Sequence, residues 1–266
     1  MLLGVVVVLA PVLTAVYLLR TTEVPSAASR LGYVLSDIRG NKTAVPRVYF
    51  DRLPAELVSL NSARERKSLF IRIMLPLILR VNDDIRADRA RLETLYERHK
   101  QGVALPDRDR AWLADLAREY GLAQVDYEEL MLRVDRIPPS IALAQAAIES
   151  GWGTSRFAQQ GNAIFGQWTY DGSGLVPQGR DAGLTHRIKA FDALWQSVAA
   201  YARNLNSHKS YDAFRRIRAR RGNALGLAAT LDGYSERGMA YIRDLHSIIR
   251  ANGLLDFDRT SLEKTA

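Results

Sequence analysis

The chain has 266 residues, 47% hydrophobic and 25% charged, with 18 Gly and 9 Pro, a balance that excludes an intrinsically disordered or collagen-like protein. It contains no cysteine, which excludes disulfides, thiolate metal sites and a nucleophilic thiol while leaving the redox compartment open. Its 37 Lys+Arg against 29 Asp+Glu give a formal charge of +8, which favours an anionic partner such as nucleic acid, lipid headgroups or cell-wall polymer without selecting among them.

Residues 2–19 form an apolar run without a charge, closed by Arg20. As a helix rising about 1.5 Å per residue, it is just long enough to cross a hydrocarbon core of roughly 30 Å. A core strand seldom exceeds ~10 residues. Residues 1–20 are therefore expected to be a transmembrane anchor or signal segment. Ser26-Ala27-Ala28 offers a small-residue processing site, but it lies well past the run and no Lys or Arg precedes it, so an uncleaved anchor is favoured. Residues 21–51, rich in turn residues and poor in periodicity, are expected to be a tether.

Residues 52–136 read as a helical region. Leu69, Ile73, Leu77 and Val81 recur every four residues, and Leu92, Leu95 and His99 continue the habit in the next segment. Pro76 predicts a kink. Asp107 reads as the N-cap of a helix carrying Trp112, Leu113, Leu116 and Tyr120, with Gly121 as its stop. The charges of this region nearly balance, which marks a solvated helix face rather than a nucleic-acid surface.

Ile137-Pro138-Pro139 reads as a boundary, since paired prolines force extended backbone and then favour a helix start. Beyond it, 137–255 is expected to be a second domain and 256–266 a tail. Ser140 is the expected cap of a helix with Ile141, Ala144 and Ile148 on one face, ending at Gly151. Glu149 then sits in the last turn, with Gln145 one turn earlier on the same face and Trp152 three residues later. The negative end of the helix and a neighbouring indole both disfavour a charged carboxylate, raising its pKa toward that of a general acid.

Gly161-Asn162-Ala163-Ile164-Phe165-Gly166 suits a tight turn into a strand, and Asp171-Gly172 and Ser173-Gly174 are hairpin signals. The return strand is expected over 184–191. Asp192 is the expected cap of an amphipathic helix bearing Leu194, Val198, Tyr201 and Leu205. A basic helix over 211–221 and an apolar one over 224–231 follow. Ser235 is the expected cap of the last helix, with Met239, Ile242, Leu245 and Ile249 on it and Gly253 as its stop. Helix, small hairpin, helices is the order of lysozyme-like folds. The expected class is thus mainly α: a lysozyme-like domain with a small β-hairpin, preceded by a helical region and an N-terminal transmembrane segment.

The stretch from Ala144 through Glu149-Ser150-Gly151-Trp152-Gly153-Thr154 to Ser155, then Asn162-Ala163-Ile164-Phe165-Gly166, Tyr234-Ser235 and Tyr241, resembles the bacterial glucosaminidase family, glycoside hydrolase family 73. Gly183-Leu184-Thr185-His186, Lys189-Ala190-Phe191-Asp192 and Asn204-Leu205-Asn206 resemble its Bax-like branch. The resemblance covers about 137–253. It implies cleavage of N-acetylglucosaminyl bonds in peptidoglycan, with Glu149 as catalytic acid and Tyr234 shaping the substrate site. Asn162 and Phe165 match the turn beneath the cleft, and Trp152 the aromatic after the acid. Gln145, Tyr241 and His186 complete the candidate substrate-binding set.

On the hairpin, Thr185-His186 is followed by Arg187, where the resemblance implies an acidic residue. Asp171 is expected to serve its own turn, which leaves Asp181 as candidate base, or the substrate's acetamido group in place of a protein nucleophile. Stereochemistry stays open. So do two other readings: a lytic transglycosylase using a lone Glu, and a non-catalytic wall-binding or scaffold module. His99, His186, His208 and His246 show no ligand spacing, so no metal is expected. Nor is a cofactor, since there is no phosphate loop or dinucleotide fingerprint. The arginine cluster at 215–221 has its charges spread around the helix axis and no interleaved aromatic platform, so nucleic acid is not expected; anionic wall polymer and lipid headgroups are left as open alternatives. The expected partners are glycan strands and, through residues 2–19, the inner membrane, with the catalytic domain in the periplasm. No oligomeric state follows from the sequence.

Overall fold

The computed structural model describes residues 26–40, 43–177, 183 and 185–264. Residues 2–19, which carry the membrane expectation, and Asp181 lie outside the described residues, among which no helix is long and apolar enough to cross a membrane.

The N-terminal part contains α1 (Ala27–Leu31), α2 (Leu35–Arg39), α3 (Glu56–Ser59), α4 (Ala63–Lys100), α5 (Asp107–Glu119) and α6 (Tyr127–Arg133). The C-terminal part contains α7 (Pro139–Ser150), α8 (Arg156–Gly161), β1 (Trp168–Thr169), β2 (Arg187–Ile188), α9 (Leu194–Ser207), α10 (Asp212–Ala219), α11 (Ala224–Ala228) and α12 (Met239–Ala251). The molecule is mainly helical, with one small antiparallel hairpin in which Trp168 pairs Ile188 and Thr169 pairs Arg187. Of the return strand expected over 184–191, Leu184 lies outside the described residues, and only Arg187–Ile188 pair with β1; Ile188 also bridges Leu175 on its other edge.

The segment expected to carry Leu69 to Val81 and the next one, expected to carry Leu92 to His99, are one helix. α4 is started by Ser62, whose Oγ accepts from the Glu65 amide, and it runs through Pro76 to Lys100. Proline removes the amide that would have bonded the Arg72 carbonyl. The Tyr33 hydroxyl supplies the missing donor, at 2.7 Å from that carbonyl. A donor from another segment keeps the polar carbonyl satisfied where the helix's own ladder is interrupted.

The described part of the expected tether is built into the core. Leu31, Ile38, Val45 and Phe50 are buried, and Val45 forms a parallel bridge with Leu262 of the expected tail. Phe257 of that tail is buried too. Nor does Pro138-Pro139 separate two cores: one cluster of buried apolar side chains includes Leu31, Ile73, Leu113, Ile141 and Leu245, with α4 packed on α7 and α9.

Several caps differ from expectation. The α7 N-cap position is Pro138, and Ser140 lies buried inside the helix. Its amide and hydroxyl both donate to the Asp258 carboxylate at 2.8 Å, which meets the positive end of the helix. Pro106 precedes α5, with Asp107 in its first turn. Before α9, the Gln196 side chain accepts from the Asp192 and Ala193 amides, so the Asp192 carboxylate is not the cap. Gly238 rather than Ser235 precedes α12, at φ 48°.

The arginine cluster is partly internal. Arg215 donates to the Leu205 and His208 carbonyls. Arg218 donates to the Leu132 and Arg136 carbonyls and to Asn206, and it pairs with Asp135. Both are buried, clamping α10 to α6 and α9, which takes two charges from the surface the sequence suggested.

Candidate active site

The site is organised by the way α7 ends. Gly151 adopts the left-handed conformation at φ 58°, followed by Trp152 at φ 58° and Gly153 at φ 79°. Ser150 pins this turn, its hydroxyl donating to the Ala146 carbonyl and accepting from the Gly153 amide at 2.8 Å. A Cβ at 153 would lie 2.5 Å from Leu57 and 2.9 Å from Phe70, so glycine is required where the turn meets α3 and α4.

Glu149, in the last turn, is half-buried and opens into a cleft of about 580 Å3 that is also lined by Phe165, Trp168, Tyr211, Tyr234, Glu236 and Arg237. Tyr241 donates its hydroxyl to Glu149 Oε1 at 3.0 Å. Gln145 Nε2 donates to the Tyr241 oxygen at 2.8 Å, and the Tyr201 hydroxyl donates to Gln145 Oε1 at 2.7 Å. This relay fixes the amide and both phenols, since each hydroxyl has one proton to give. Tyr201 stacks on Phe165 at 3.9 Å between ring centroids, and Tyr234 on Tyr241 at 5.7 Å. The Tyr234 hydroxyl points to the Phe165 carbonyl at 3.5 Å.

Burial holds the Glu149 carboxyl above the usual carboxylate range, while the Tyr241 hydrogen bond and the positive charge of Arg237 pull it back. Arg237 is itself paired with Asp244. Burial likewise pushes the Tyr201, Tyr234 and Tyr241 hydroxyls upward, so all three stay protonated near neutral pH. The site therefore presents a carboxyl partly withdrawn from water, aromatic walls and phenolic donors, an arrangement suited to general-acid chemistry.

Five of the candidate residues converge: Glu149, Gln145, Tyr241, Phe165 and Tyr234. Trp152 does not join them. Its left-handed backbone turns the indole onto α4, edge-on to Phe70 at 5.9 Å and beneath the Lys67 ammonium at 5.1 Å, so it buttresses the turn while the walls of the cleft desolvate Glu149. Asn162 is fully buried; it ends α8 at φ 52° and donates to the Phe191 carbonyl at 2.9 Å, a structural task. His186 stacks on cleft-lining Trp168 at 4.5 Å. Asp171 accepts from the amide and hydroxyl of Ser173, which lower its carboxyl to about 2. It serves the turn, as expected. The residues missed are Trp168, Tyr211, Glu236 and Arg237. For the pair 236–237, the signal was their position between Tyr234 and Tyr241. Among the described residues no cluster of three or more His, Asp or Glu side chains could hold a metal.

Residues 125–254 match the Glucosaminidase family model, described as mannosyl-glycoprotein endo-beta-N-acetylglucosaminidase. The chain is 33% identical to Protein bax of Escherichia coli strain K12 over 203 residues, 72% of this chain and 71% of that one. The catalytic domain of the autolysin Auto from Listeria monocytogenes aligns with TM-score 0.38 and 19% identity, over 62% of this chain and 96% of that domain. With its motifs in order along the match, the chain belongs to the glucosaminidase family, glycoside hydrolase family 73.

Proposed function

We propose that the protein hydrolyses N-acetylglucosaminyl bonds in peptidoglycan glycan strands with Glu149 as general acid. The observation that carries this is a half-buried carboxyl that lines an open cleft and accepts a hydrogen bond from the Tyr241 hydroxyl. Its proton passes to the glycosidic oxygen as that bond breaks, and the sugar left behind develops oxocarbenium-like charge. Tyr234, stacked on Tyr241, supplies an electron-rich ring and a hydroxyl beside the reacting sugar. The water that completes hydrolysis needs a base. Glu236 is exposed and lines the same cleft, which makes it a candidate beside Asp181; alternatively the substrate's own acetamido group takes the place of a protein nucleophile. The apolar run at 2–19 supports placement at the inner membrane with the cleft in the periplasm, where the substrate is.

The test is digestion of purified sacculi by the wild type and by Glu149→Gln. We expect reducing N-acetylglucosamine ends from the wild type and a loss of at least about 100-fold in rate for the variant. Anhydromuramyl ends would instead identify a lytic transglycosylase, and no release by the wild type would identify a scaffold. The same digestion with Glu236→Gln and Asp181→Asn assigns the base.

A further inference from the structure

We propose that Trp168 is a stacking platform for one face of a hexosamine ring at the rim of the Glu149 cleft, with His186 holding the indole flat. This rests on the glycan-cleaving reading above and adds to it the residue that grips the sugar. The chain has four tryptophans, and three are already occupied. Trp152 packs on Phe70, Trp112 lies beneath the Arg91 guanidinium at 4.2 Å, and Trp195 beneath that of Arg80 at 4.7 Å. Trp168 is 57% exposed although it lines the cleft. An indole left in water forgoes the burial that stabilises aromatic side chains elsewhere, at about 25 cal/mol per Å2, so an exposed one in a cleft points to a ligand.

The local structure explains both the exposure and the rigidity. Along β1 side chains alternate between faces: Thr169 is buried, while Trp168 and the next-but-one residue, Tyr170, are exposed. Pairing of Trp168 with Ile188 fixes the backbone. The imidazole of His186 lies near-parallel to the indole, at 4.5 Å and 22°. One face of the ring is thus covered and the other is presented to the cleft. A β-linked N-acetylglucosamine ring, being gluco-configured, carries its substituents equatorially, so its axial C–H groups form an apolar face that matches a flat aromatic ring, as sequence-tolerant stacking does for bases.

The test separates grip from chemistry by using the Glu149→Gln chain and a probe of N-acetylglucosamine pentasaccharide. Calorimetric titration should show binding that falls at least about tenfold, or about 1.4 kcal/mol, on adding Trp168→Ala. Trp168→Tyr should restore it to within about threefold, and His186→Ala should lie between. In the active enzyme Trp168→Ala should raise KM more than it lowers kcat, as loss of uniform binding does. Unchanged affinity in a folded Trp168→Ala chain overturns the proposal. If that variant does not fold, the indole N–H resonance of Trp168 in the parent decides: a shift on adding the sugar supports the platform, and none overturns it. Residual hydrolysis by Glu149→Gln would instead count against the acid assignment, while the titration still decides for or against Trp168.

Discussion

The Tyr241 hydroxyl is shared between two jobs that pull in different directions. It completes the buried relay from Tyr201 through Gln145, and it donates to Glu149 Oε1. A donor to a carboxylate favours the charged form, so Tyr241 limits how far burial raises the Glu149 carboxyl. Tyr241→Phe removes that donor and should move Glu149 further up. Because a general acid works only while protonated, activity falls as pH rises through its pKa. The alkaline limb of kcat/KM should therefore shift to higher pH in Tyr241→Phe, and by less in Arg237→Gln, whose charge is exposed and already paired. A pH–rate profile checks this; a limb that stays put or moves down refutes the assignment. At this scale the sequence was most legible for residues that one helix face brings together: 145 and 149 lie four apart, so their convergence needs only helical spacing. Trp152 and Asn162 were legible as motif letters but not as to task. A left-handed backbone at each redirects the side chain, and spacing carries no information about that.

Elements longer than about three turns were legible because their apolar stripe repeats often enough to be seen. α4 is the example: its apolar stripe is legible on both sides of Pro76, and the helix continues through it. What the sequence could not reveal is that Tyr33, 39 positions from Arg72, arrives to fill the gap. Tyr33→Phe tests that account. It leaves the ring in place, near the Arg72 guanidinium, but leaves the Arg72 carbonyl without its donor. We expect a loss of about 1–3 kcal/mol in denaturant unfolding, with the m-value unchanged. A neutral result would mean that another donor serves that carbonyl. The five-residue helices α1 and α2 escaped reading for the opposite reason: they are too short to display a period, and each buries only one or two side chains.

At the scale of the whole molecule, the decisive fact is that the N-terminal region and the catalytic part share one core. α3 and α4 press Leu57 and Phe70 onto the turn that carries Glu149, with no room for a Cβ at 153. The geometry of Glu149 thus depends on residues nearly a hundred positions upstream. The segment read as a tether lies on the same side of this dependence. Leu31, Ile38, Val45 and Phe50 are buried, and at about 1.5–3 kcal/mol for each fully buried side chain their loss is of the order of the total stability of a domain, about 5–15 kcal/mol. The amide of Leu194, which opens α9, also donates to the Asp51 carbonyl at the end of that segment. Two truncations separate a spacer from a structural part. A chain beginning at residue 26 keeps every described contact and should melt cooperatively and digest sacculi like the full-length protein. A chain beginning at residue 52 exposes the faces that those four side chains cover and should lose both the transition and the activity. If the shorter chain folded and cleaved normally, residues 26–51 would be a spacer after all, and the buttress on the Glu149 turn would have to rest on α4 alone.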